Sequence, residues 1–87
     1  MSKQYEMIKS LYNQAVIDNS LERVSIDYAL THYQGTTSQR LENAGKIRPD
    51  IFMQFVQINL INQGVSIHPN TIDRTRRKLE QQWPSNS

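Results

Sequence analysis

Residues 64–83 read GVSIHPNTIDRTRRKLEQQW. At 100° per residue this stretch has two opposite faces. Ile72, Thr75, Leu79 and Trp83 fall on one face, and Arg74, Arg77, Lys78 and Gln81 fall on the other at spacings of three, four and seven. A helix built this way needs an apolar partner beneath it and presents a basic ridge outward. Pro69 suits the first turn, where its missing N–H would have no partner anyway. Asn70 or Ser66 can cap the start, and Asp73 sets a negative charge near the positive end of the helix dipole. Pro84 ends the run. The pattern predicts a helix over 69–83. A basic face on a terminal helix is also often a plain solvated face, so the function class needs further signals.

The stretch just before it supplies the apolar partner. Pro49 opens a helix with Asp50 in its first turn, and Gln63-Gly64 closes it. Ile51, Phe52, Met53, Phe55, Val56, Ile58, Leu60 and Ile61 cover most of its circumference. A helix apolar on so many sides is buried on several of them. It is therefore expected to be the central core helix, with part of it available as a dimer surface. Phe52, Phe55, Val56, Ile72, Leu79 and Trp83 are the expected core cluster. Val65-Ser66-Ile67 alternates, and is either a long turn or a small strand.

Further out, residues 2–18 place Tyr5, Ile8, Leu11, Tyr12, Ala15 and Val16 at helical spacing, with Ser2 as a cap and Asp18-Asn19-Ser20 as a polar break. Leu21 and Val24 start a helix or form a short extended entry. Ser25 caps a short helix over 25–34, in which Ile26, Ala29, Leu30 and Tyr33 keep three-four-seven spacing and which Gly35 is placed to end. Thr36 and Gln39 stand at capping-box spacing over 36–45, with Leu41 and Ala44 inward and Gly45 at the C′ position. Lys46-Ile47-Arg48 reads as a brief extended connection. These elements predict an all-α fold of about five helices with at most a small wing. Residues 1–83 form one domain, and 84–87 are expected to be a disordered tail.

Composition narrows the function classes. Eighty-seven residues make one domain with a modest core. There is no cysteine, so disulfides, thiolate metal sites and cysteine nucleophiles are excluded. No apolar run approaches a membrane span and no signal-peptide pattern follows Met1, so a soluble, cytoplasmic protein is expected. Net charge is +2, but its distribution is uneven. Residues 1–33 hold Lys3, Lys9 and Arg23 against Glu6, Asp18, Glu22 and Asp27. Residues 34–87 hold Arg40, Lys46, Arg48, Arg74, Arg76, Arg77 and Lys78 against Glu42, Asp50, Asp73 and Glu80. The whole positive excess lies in the second part, which suits a polyanionic partner. Gly-rich phosphate loops, flanking carboxylate pairs, His-x-x-x-His spacing and a nucleophile elbow are all missing from the chain. His32 and His68 stand alone. No enzyme, cofactor or metal site is expected.

At residues 25–45 and 52–82 the chain resembles helix-turn-helix DNA-binding domains. Gly64-Val65-Ser66 followed by Thr71-Ile72-Asp73-Arg74 looks like the Gly-Val-Ser turn and recognition-helix start of that family, with extra residues in the turn. RTRRKLEQQWP, residues 74–84, is similar to the final helix of small winged-helix domains from phages and other mobile elements, and TTSQRLENAGKI, residues 36–47, shares their cadence. The lengthened turn departs from the tight motif and points to a longer-turn or winged variant. The resemblance implies a DNA-binding regulator, or the DNA-binding domain of a phage or mobile-element protein, with double-stranded DNA as partner and a homodimer allowed. Residues 70–82 would enter a major groove. Asn70 and Thr71 would touch phosphate or base edges, and Arg74, Arg77 and Lys78 would face the groove. Arg76, beside the apolar stripe, would reach a flanking phosphate or a carboxylate. A rival layout puts residues 37–46 in the groove, with Ser38, Gln39, Arg40, Asn43 and Lys46 as contacts. A third reading, from another class, is a small protein-binding inhibitor or adaptor that uses its basic helix against an acidic partner.

Overall fold

Ile8, Leu11, Tyr12 and Ala15 share one side of a single helical path, and that side is buried. This is α1, Lys3–Asp18, which stops where Asn19 takes a left-handed conformation (φ 52°) and turns its N–H back to the Ala15 carbonyl. The computed structural model describes residues 3–82, with four further helices: α2 Ile26–His32, α3 Thr37–Leu41, α4 Pro49–Asn62 and α5 Pro69–Gln82. The all-helical class expected from the periodicities is what the chain adopts, and no strand occurs among the described residues.

The core lies between the three long helices. α5 packs against both α1 and α4. Ile8, Leu11, Tyr12 and Ala15 of α1 meet Phe52, Val56 and Leu60 of α4 and Ile72 and Leu79 of α5, with Ile47 and Ile67 closing the ends. Tyr12 stands edge-on to Phe52 with ring centroids 5.6 Å apart. Fully burying one such side chain contributes roughly 1.5–3 kcal/mol, so these few residues supply most of the driving force.

α2 and α3 are packed on each other and enter and leave the core through one clasp. Residues 22–24 and 45–48 run antiparallel, bridged at Arg23 and Ile47. Val24 N–H donates to Lys46 O at 2.7 Å, Gly45 N–H to Val24 O at 2.8 Å and Arg48 N–H to Glu22 O at 3.0 Å. Gly45 has φ +87°, a left-handed backbone conformation that glycine adopts without strain, and its N–H turns to Val24 there. Both extended readings, at 21–24 and at 46–48, meet in this clasp. Ser25 accepts the Tyr28 N–H and caps α2. Thr36 and Gln39 form the reciprocal capping box at the start of α3. Gly35, at φ +114°, lies against the Gln39 side chain that closes this box, and any Cβ there would collide with it.

The structure corrects several expectations. α4 is not buried on most sides. Phe52, Val56 and Leu60 are buried, whereas Ile58 is 59% and Ile61 71% exposed. Phe55 only packs against the rim of the core. The reason is that α4 has α5 as its main helical neighbour, which leaves its far side uncovered. The third helix ends at Leu41 and not at Gly45, and Leu41 is exposed. The Asn43 amide donates to the Gln39 and Arg40 carbonyls and competes with further helical turns. The cap of α5 is His68, not Asn70 or Ser66, because Pro69 at the first helical position makes its predecessor the cap. Val65-Ser66-Ile67 joins no ladder. Trp83 and the 84–87 tail lie outside the described residues.

Candidate nucleic-acid interface

The start of α5 is fixed by His68. Its Nδ1 accepts the Asn70 N–H at 3.1 Å, and its carbonyl accepts from Thr71 and Ile72. From there the helix keeps Ile72, Thr75, Leu79 and Glu80 buried. Asn70, Arg74, Arg77 and Gln81 follow at spacings of four, three and four on the opposite side, and all four are exposed. At 1.5 Å per residue this ridge is about 16 Å long. Thr71 is half-buried and Lys78 exposed along its flank, with Lys78 Nζ 5.5 Å over the Tyr5 ring.

Beneath the ridge lies an ion-pair network that decides which cations are presented. Arg76 is only 11% exposed along its side chain. It donates to Asp73 Oδ1 through Nε at 3.2 Å and Nη2 at 3.0 Å, and to Glu80 Oε1 through Nη1 at 2.9 Å. Burial pulls its pKa down, but Glu80 and Asp73 outweigh that and the net shift is upward. Of the two partners expected for Arg76, the carboxylate is the one found. Asp73 also holds Arg77 Nε at 3.3 Å. That contact is side-on, and it leaves the terminal nitrogens of a 63% exposed side chain without a partner among the described residues. Arg74 has no partner among the described residues either.

The second candidate segment is committed differently. Gln39 gives its side chain to the capping box. Arg40 reaches back across ten residues to the Leu30 carbonyl at 2.9 Å and ties α3 to α2. Asn43 caps the C-terminal end of α3. Ser38 is exposed, and Lys46 is half-buried with no ion pair among the described residues. Arg48 is likewise spent. It pairs with Glu22 and with Asp50 at 2.7 Å and lies 4.5 Å over the Tyr28 ring. The hydrogen bond from Arg48 in turn holds the Asp50 carboxyl below its ordinary range.

The two segments are neighbours in space. A groove of about 230 Å³ is lined by Tyr33, Asn43 and Lys46 on one side and by Arg76, Arg77, Glu80 and Gln81 of α5 on the other. Tyr33 is the member that sequence reasoning missed. Its spacing on α2 marks it only as a packing residue, and nothing local reveals a groove formed by residues 33, 46 and 77. The His68 cap was visible in principle, since a residue before Pro at the first helical position is the natural cap.

Among the described residues no cluster of His, Asp and Glu is arranged to hold a metal ion. No helix among them is long and apolar enough to cross a membrane. No family model, curated protein or solved structure matches this chain.

Proposed function

We propose that this chain is a double-stranded DNA-binding module of the regulator type, which lays the outer ridge of α5 in the major groove. The observation that carries the reading is the ridge itself: Asn70, Arg74, Arg77 and Gln81, in register and exposed along one helix. The major groove admits an α-helix, Arg suits bidentate contact with guanine, and Asn and Gln suit adenine. A ridge of about 16 Å faces four or five base steps at 3.4 Å each. Below it, Asp73 orients Arg77 from the side and leaves its fork free, which favours a bidentate contact. The commitment of Gln39, Arg40 and Asn43 to local structure weighs against residues 37–46 as the reading helix. The likeness of Gly64-Val65-Ser66 and Thr71-Ile72-Asp73-Arg74 to the turn and recognition-helix start of helix-turn-helix domains also favours α5.

The test is duplex-DNA binding at two salt concentrations with matched variants. Arg74→Ala/Arg77→Ala should stay folded, since such surface changes alter stability by about 0.5 kcal/mol or less. It should nevertheless lose affinity and sequence preference, with roughly 1–3 kcal/mol for each base contact removed. Arg40→Ala/Asn43→Ala should lower stability and leave the folded fraction binding as before. If only the second variant, still folded, loses binding, residues 37–46 read the DNA. If wild type fails to bind duplex DNA at low salt, the proposal falls and an acidic protein partner becomes the reading to pursue.

A further inference from the structure

The groove beside α5 has a composition that the ridge alone does not explain. Lys46 projects from the turn after Gly45 into the same cavity as Arg77 and Gln81, and no carboxylate among the described residues pairs with it. Tyr33 adds a hydroxyl from the end of α2. Burial raises the Tyr33 pKa, so this hydroxyl stays a donor. The carboxylate in the groove, Glu80, is bound by Arg76 at 2.9 Å. Asn43 points its amide at the Gln39 and Arg40 carbonyls and is not available as a donor. Lys46, Arg76 and Arg77 set against Glu80 and Asp73 leave one net positive charge.

We infer that this groove seats one backbone phosphate of the DNA strand flanking α5, with Lys46 Nζ and Tyr33 Oη as its donors. The inference rests on the proposed DNA reading and adds a non-reading contact to it. A helix lying in the major groove has a phosphate backbone on each side, and a phosphodiester needs convergent N–H and O–H donors around a net positive charge. The groove supplies both next to the ridge, and the clasp at Arg23 and Ile47 fixes the turn that carries Lys46. Lys46 would therefore position the protein, while Arg74 would discriminate sequence.

The experiment measures affinity for random and preferred duplexes across a salt series, using the whole chain. Lys46→Gln should lower the log–log salt slope by about 0.9, which is about eightfold in affinity at 0.1 M salt relative to 1 M, and equally for every sequence. Tyr33→Phe should weaken binding without changing the slope. Lys3→Gln, in a separate cavity with Asn59 and Gln63, should change neither. If Lys46→Gln keeps the wild-type slope while Arg74→Ala/Arg77→Ala loses binding, the phosphate seat is wrong and the ridge reading stands. If Lys3→Gln costs as much slope as Lys46→Gln, the effect is general charge and the seat is again wrong. If wild type does not bind DNA, both readings fail together.

Discussion

Arg76→Ala separates structural use of a cation from functional use. The Arg76 guanidinium bonds Asp73 and Glu80, and the Glu80 side chain is only 8% exposed. Removing Arg76 leaves a buried carboxylate without its counter-charge. Breaking one partner of such a pair costs about 3–5 kcal/mol. Glu80 borders two open grooves, so water softens the loss and the lower end, about 3 kcal/mol, is expected. A chain of this length has about 4–13 kcal/mol in total. At about 4–8 °C per kcal/mol, the melting temperature should fall by about 12–24 °C. Thermal melting followed by far-ultraviolet circular dichroism reads this directly. The paired change Arg76→Met/Glu80→Met removes both charges and should be near neutral. It should also keep the wild-type salt slope on DNA. An Arg76→Ala variant that melts with wild type would show that the network carries no stability. A paired variant that loses one unit of slope would place Arg76 on a phosphate, against the geometry.

Two further outcomes follow from the core. Burial, aided by the Glu80 charge, pushes the Tyr12 hydroxyl up to about 12, above the 10 of the unfolded chain. Its folded form keeps the proton longer, so stability is full below pH ~10 and falls by up to about 1.4 kcal/mol per pH unit as pH rises from there. Tyr12→Phe should flatten that alkaline decline in urea titrations, and an unchanged decline would mean another group drives it. Phe52→Ala should cost about 3–5 kcal/mol, because Phe52 is fully buried and touches both Tyr12 and Phe55. Ile61→Ser on the uncovered side of α4 should stay within about 0.5 kcal/mol. Equal losses at both positions in chemical denaturation would contradict the placement of the core.

Helix starts were legible because local chemistry sets them, whereas the end expected for the third helix at Gly45 falls at Leu41. Ser25, the Thr36–Gln39 box, Pro49 and Pro69 each satisfy or remove donors at a helix start, and each signal sits within four residues of its effect. For Arg76 the sequence left a flanking phosphate or a carboxylate open, and the carboxylates it meets are Asp73 and Glu80, three and four residues away. What the pattern could not give was the neighbourhood of each face. Eight apolar residues on α4 read as near-complete burial, yet burial depends on how many helices surround it, and α5 is the one that chiefly does. Arg40 looked as free as Arg74 in the sequence. Its partner is a carbonyl on another helix, ten residues away, and only the folded α2–α3 pair brings that within reach.

The same long-range effect changes how the two candidate reading segments relate. In sequence they are about thirty residues apart and look like alternatives. In the fold, Asn43 and Lys46 line the groove that Arg77 and Gln81 border from α5. The clasp between residues 22–24 and 45–48 holds that turn at a fixed place beside the helix. Under the proposed docking, a helix that reads base edges needs a second, sequence-blind contact to set its register on the duplex. Lys46 is the cation available for that role, because Arg40 and Arg48 are committed elsewhere. Residues 37–46 then serve the interface through their end and not through their helix. Lys46→Gln and Arg74→Ala should accordingly fail in different ways on the same DNA, one in salt dependence and the other in sequence preference.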